Sequence, residues 1–216
     1  HTRQPTALPS NATPEAQSLA EQPTNQTAAL QRSISERGFL AIGVPIPPDR
    51  PGEHERLAQT LAEVNDGELI DITSALIASM RDLSSQQGVD WDRVRSADAP
   101  DAGNRDAQGL RAVVNRTMPQ LWESLQQRVF DGDASDHPLI LTEASPLARY
   151  GHLDVLAKLS DLAAPRRRPV WLIVPQLRGL QGALVDRKPI QLGSPSQFIV
   201  WRQTPDLVRP EGAGTL

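Results

Sequence analysis

Cysteine is absent from this sequence of 216 residues. That excludes disulfides, zinc–thiolate centres and thiol nucleophiles, and it suits a reducing compartment. Lysine is nearly absent as well: Lys158 and Lys188 are the only two, and neither follows a glycine. No apolar run approaches the roughly 20 residues that cross a bilayer, and no charged-then-apolar leader opens the chain, so the expectation is a soluble cytoplasmic protein with no membrane partner. A clustered cationic surface is missing too. With a net charge of −4 and a pI near 5.6, direct nucleic-acid binding is not expected, because phosphate neutralisation needs a concentrated excess of Lys and Arg. The one basic run, Arg166-Arg167-Arg168, falls on a turn. It reads as a solvated helix end, where cations meet the negative pole of the helix dipole, with phosphate contact as the alternative.

What the chain does contain is centred on residues 137–176. Two short apolar runs, 138–142 and 170–174, lack polar alternation, the pattern of strands buried on both faces in a parallel sheet. Between them Leu153, Leu156, Leu159 and Ala163 recur at helical spacing. Strand, helix and strand make a βαβ unit, since parallel neighbours need a crossover connection.

Taken in order, residues 1–29 are rich in Pro, Thr, Gln, Asn and Ser and read as a disordered linker. The chain opens at His1 without methionine, so a piece of a longer polypeptide is expected. Residues 30–203 are the expected α/β domain and 204–216 a flexible tail. A short helix over 29–37 precedes an apolar strand, 38–44, which Pro45, Pro47 and Pro48 must end. Leu57, Leu61 and Val64 set a helix over 53–64; a strand at 69–72 and a helix over 73–87, carrying Leu76, Ile77, Met80 and Leu83, complete a second βαβ unit. Residues 91–107 are polar and read as solvated turns, because their aspartates lack the spacing of a calcium loop. A long helix over 106–130 is expected to break near Pro119. A β-hairpin over 183–192 and a strand at 197–201 close the domain. The fold expected is a three-layer α/β sandwich with a mainly parallel sheet, degenerate P-loop or Rossmann-like, and a C-terminal β-hairpin.

In such sheets ligands collect at the carboxyl ends of the strands. The loops there offer Asp49, Arg50, Asp71, Thr73, Thr142, Glu143, Ser145, Arg149, Tyr150 and Gln176. Of these, Asp71, Thr73, Glu143, Arg149 and Tyr150 are the candidate ligand- or partner-binding residues. A nucleotide loop is the obvious test. Where a P-loop would follow the first strand there stands Gly43-Val44-Pro45-Ile46-Pro47-Pro48-Asp49, whose prolines remove the amide donors that phosphate needs. Neither Gly-x-Gly-x-x-Gly nor Gly-x-Ser-x-Gly occurs. Glu143 follows its strand as an ATPase's catalytic acid would, without the paired aspartate; it reads as a cap or ion-pair group, with a ligand or metal role as the alternative. Ser145-Pro146 to Gly151 reads as a self-contained helical turn. His54 and His152 have no acidic partner at catalytic spacing in the chain. The isolated tryptophans read as core. No catalytic residue, metal or cofactor is implied.

The string Pro-Leu-Ile-Leu-Thr-Glu-Ala-Ser-Pro-Leu-Ala-Arg-Tyr (138–150), then Leu-Asp-Val-Leu-Ala-Lys-Leu (153–159) and Val-Trp-Leu-Ile-Val-Pro (170–175), resembles the C-terminal region of the PglW family. These are large serine/threonine kinases of BREX-type phage defence. Residues 38–44, Val89-Asp90-Trp91 and Ala97-Asp98 look like the family's earlier landmarks in the same order, so the resemblance spans 38–201. One departure is Val185-Asp186-Arg187, where the family tends to carry Leu-Asp-Gly; since arginine resists positive φ, a longer or different turn is expected here. The resemblance implies a non-catalytic interaction or regulatory module of a multidomain defence kinase, with protein partners from the same defence system and the kinase activity elsewhere in the polypeptide. A small-molecule or nucleotide-binding domain using the strand-end crevice is the alternative.

Overall fold

The computed structural model describes residues 14–48, 51–99, 103–176 and 182–202, with side chains from residue 25 onward. The expectations for residues 1–13 and 204–216, and for Asp49, Arg50 and Asp101, lie outside the described residues. Five parallel strands form the sheet: β1 (Phe39–Pro45), β2 (Glu68–Asp71), β3 (Leu139–Thr142), β4 (Val170–Gln176) and β7 (Phe198–Val200). Their order is β2-β3-β4-β1-β7. The two apolar runs of the central unit are parallel neighbours, with Leu139 opposite Val170, Ile140 opposite Trp171 and Leu141 opposite Leu172. β4 continues this pairing on its other side, from Phe39 opposite Val170 to Pro45 opposite Gln176.

Successive strand residues point to opposite faces, so the unbroken apolar runs must supply two cores. Phe39, Ala41, Leu139, Leu141, Val170, Leu172 and Val174 pack on one face with α3 (Ile72–Gln86), α5 (Asn104–Gln126), α6 (Ser145–Tyr150) and α7 (Asp154–Ser160). Leu40, Ile42, Ile140, Trp171 and Ile173 pack on the other with α1 (Pro14–Ser35) and α2 (Glu53–Val64). This is the expected three-layer sandwich. Among the described residues no helix is long and apolar enough to cross a membrane.

Four local expectations need correction. The first helix starts at Pro14 rather than residue 29, and Gln26, Leu30 and Ser33 on it are buried; Gln26 donates to the Val200 carbonyl at 3.3 Å. Residues 91–96 are not a loop but a helix, α4 (Trp91–Ser96): Asp90 accepts from the Asp92 amide at its start, and Val94 is buried. The long helix runs through Pro119 without a break. Proline there removes one backbone bond, yet Val114, Thr117, Met118, Leu121 and Leu125 on both sides are buried in one core, and that packing holds the axis. The irregularity comes later, as a π-helical turn at Gln127–Asp131. Finally, α7 ends at Ser160, three residues before the expected end, where the Asp161 backbone turns extended.

The C-terminal hairpin, β5 (Leu184–Val185) with β6 (Lys188–Pro189), is antiparallel as expected, but its turn is not. Asp186 and Arg187 alone connect the strands, at φ +48° and +62°, so arginine does adopt the left-handed conformation of a tight two-residue turn. Contacts on either side hold it there. Ser145 Oγ donates to Asp186 at 3.2 Å, Lys188 Nζ donates to the Ala148 carbonyl at 2.6 Å, and Ala183, Val185 and Ile190 are buried. Arg187 is itself exposed. Arg187→Gly should therefore stabilise the chain by about 0.5–1 kcal/mol, the left-handed penalty less the entropy that glycine adds to the unfolded state. Urea unfolding midpoints of the two proteins check this; an unchanged or lower midpoint contradicts it.

In the basic run Arg166 meets the carboxyl end of α7 as expected, but half-buried rather than solvated, Arg167 is exposed, and Arg166 and Arg168 anchor the amino-end side of the sheet. Arg166 donates to the carbonyl of Leu159 in the last turn of α7, to that of Asp161 just past it and to that of Arg37, and burial lowers its pKa against the opposing pull of Asp161. Arg168 donates to Glu68 at 2.7 Å and to the carbonyls of His137 and Pro138. These partners tie the entries of β2, β3 and β4 together.

Candidate functional site

At the opposite, carboxyl end of the sheet, β3 delivers Glu143 into the crevice. Its backbone takes φ +51°, an uncommon conformation for a non-glycine residue. Thr73 Oγ1, in the first turn of α3, donates to the Glu143 carbonyl at 2.7 Å and so fixes the peptide plane. The side chain then reaches His54 in the first turn of α2, with Oε1 2.9 Å from Nε2. His54 does have an acidic partner, then, but one 89 residues away in the chain. No local spacing could show it. The start of α2 and the loop leaving β3 meet because both follow strands of the same parallel sheet at its carboxyl end, and that topology makes the pair.

The other candidates fall on either side of this centre. Asp71 caps α3, accepting from the Ser74 amide and hydroxyl, each at 2.8 Å. A cavity of about 210 Å³ lies beside β3 and β4 and is lined by Glu143, Ser145, Gln176, Asp186 and Arg187 among others. Gln176 covers Gly43: a Cβ there would come within 2.7 Å of the glutamine side chain, which would have to swing aside. A second, more apolar groove of about 370 Å³ opens between α3, α4, α5 and α6, lined by Thr73, Leu76, Met80, Trp91 and Tyr150 with Arg149 at its rim. Ser145 and Asp186 line both. Glu143 thus faces the first space, Thr73, Arg149 and Tyr150 face the second, and Asp71 lines neither.

Arg149 and Tyr150 converge on Asp98, a residue not anticipated as a site group. The guanidinium is 2.6 Å from Asp98 Oδ1, the phenol donates to the same oxygen at 3.3 Å, and Arg149 lies over the tyrosine ring at 5.5 Å. Burial, then the Asp98 carboxylate, pushes the phenol above its ordinary value, while Arg149 acts to lower it. The folded chain therefore keeps this proton when the unfolded chain has lost it, and stability falls as pH rises past the ordinary phenol value of about 10. Tyr150 is the sole tyrosine. Alkaline titration followed by phenolate absorbance should accordingly give one transition with a midpoint above 10, shifted downward in Asp98→Asn. A midpoint at or below the free phenol's would contradict this geometry.

The described residues that directly follow β1, 46–48, offer phosphate no free donor. Pro45, Pro47 and Pro48 carry no amide hydrogen, and the one that remains, on Ile46, donates to the Gln176 carbonyl at 3.2 Å. A phosphate cradle needs several convergent amides, and residues 45–48 have none to offer.

Over 120 residues, 53% of its length, the chain is 30% identical to the probable kinase PglW of Streptomyces coelicolor. The match spans 8% of that much larger protein. No family model matches the chain, and no solved structure matches it.

Proposed function

We propose that this chain is a non-catalytic interaction or regulatory module in the C-terminal region of a PglW-type kinase that acts in BREX-type phage defence. The observation that carries the reading is the donor-poor stretch after β1: a P-loop site needs convergent backbone amides there, and over residues 45–48 they are missing or already bonded. The likeness to a probable kinase over a small share of its length supports a part of such a polypeptide. The contact surface is the apolar groove with Thr73, Arg149 and Tyr150 along it, and its partner is a protein of the same defence system. Asp98 holds Arg149 and Tyr150 in place before any contact, which lowers the ordering cost of binding.

The small-molecule reading draws on one observation, the largely apolar cavity on which Glu143, Gln176 and Asp186 converge. Both readings meet the same assay. The purified chain should release no phosphate from ATP and transfer none to protein, with or without magnesium, and a panel of nucleotides should leave its melting temperature unchanged. ATP turnover would overturn the module reading. A nucleotide-dependent shift without turnover would favour the small-molecule alternative.

A further inference from the structure

We propose that His54, Glu55 and Glu143 form a binding site for one divalent transition-metal ion of the zinc class. One ligand atom from each lies within 4.8 Å of the other two. The donors come from two elements, the first turn of α2 and the loop leaving β3, so folding itself assembles them. Imidazole with two carboxylates is a nitrogen–oxygen set that suits zinc and its neighbours; magnesium and calcium favour oxygen alone. Zinc ligands stand about 2.0–2.2 Å from the ion. With His54 and Glu143 already 2.9 Å apart, the exposed Glu55 side chain is the one that must swing inward.

Two further features separate this set from a chance cluster. The His54–Glu143 contact occupies Nε2 and leaves Nδ1 buried with no hydrogen-bond partner among the described residues, so one ring nitrogen is uncommitted and its lone pair can serve as a ligand. The Thr73 hydroxyl also fixes the peptide that carries Glu143, the kind of outer support that orients metal ligands. Of the three, Glu143 alone lines the cavity of about 210 Å³, so the remaining coordination position falls to solvent at the exposed Glu55 side. None of this involves the donor-poor stretch after β1, and the inference holds whether or not the chain is a kinase module.

The test is calorimetric titration of Zn2+ and, separately, Mg2+ into the untagged, chelator-treated chain, with Co2+ absorption as a spectroscopic readout. The expected result is one zinc per chain, magnesium at least about 100-fold weaker, and an intense visible cobalt band of low coordination number. Glu55→Ala, at an exposed position, should weaken zinc about tenfold or more, and His54→Ala should abolish both signals. If His54→Ala does not fold, Glu55→Ala and the cobalt band decide. Absence of zinc heat and of a cobalt band overturns the site, as does wild-type affinity in Glu55→Ala. Phosphotransfer is not part of the readout, so failure here leaves the module reading standing.

Discussion

Trp171→Ala should lower the unfolding free energy by about 3–5 kcal/mol, the range for removing a large aromatic side chain from a closed core. Trp171 is fully buried on β4, and its face of the sheet packs beneath α1 and α2 with Leu40, Ile42 and Ile173. Its indole nitrogen donates to Ser33 Oγ of α1 at 2.9 Å, so one side chain joins the central strand to the outer helix layer. The serine hydroxyl keeps a second bond, to the Gly38 carbonyl at 3.1 Å, and is not orphaned by the change. Trp171→Phe should cost less, about 1–2 kcal/mol, because most of the volume remains and one hydrogen bond is lost. Urea unfolding with an unchanged slope would measure both. A loss under 1 kcal/mol for the alanine variant would mean that α1 does not pack on β4 as described.

The second large effect belongs to Arg168→Ala, at about 1.5–3 kcal/mol. The Arg168 side chain is only 13% exposed and makes charge-assisted bonds to Glu68 and to two backbone carbonyls. Glu68 is 41% exposed and keeps Arg128 at 3.0 Å, so solvent and a second partner limit the loss. Arg168→Lys should recover under half of it, since an ammonium cannot reproduce the planar fork. β2 is an edge strand paired to β3 alone, so hydrogen exchange at Leu69 and Ile70 should accelerate before the rest of the sheet opens. Uniform acceleration across all strands would contradict this local role.

These two residues also mark what could be read from the sequence. Trp171 sits in an apolar run whose lack of alternation announced a doubly buried parallel strand. The helix at Glu53–Val64 has the expected bounds, and Leu57 and Leu61 pack inward as expected, whereas Val64 is exposed. Arg168 was legible only as a charge on a turn, because its partner Glu68 is 100 residues away. The same limit hid the His54–Glu143 pair and the role of Asp98: both arise where the parallel topology gathers loop ends, and no local periodicity records that. Pro119 and Arg187 misled for another reason. Each breaks a local backbone rule at a cost of a few kcal/mol or less, and the packing around each outweighs it. α1 escaped detection over residues 14–28 because its polar sequence shows no apolar stripe there.

The central claim is that this segment serves contact rather than chemistry. The measurement that bears on it most directly compares an intact PglW-type kinase with the same polypeptide lacking residues 38–201, scoring autophosphorylation and co-purification of its defence-system partners in one experiment. The account predicts that the shortened kinase still phosphorylates itself and no longer retains a partner, and that Arg149→Ala with Tyr150→Ala in the intact kinase reproduces the loss of the partner. Loss of autophosphorylation with the partner still bound would contradict it.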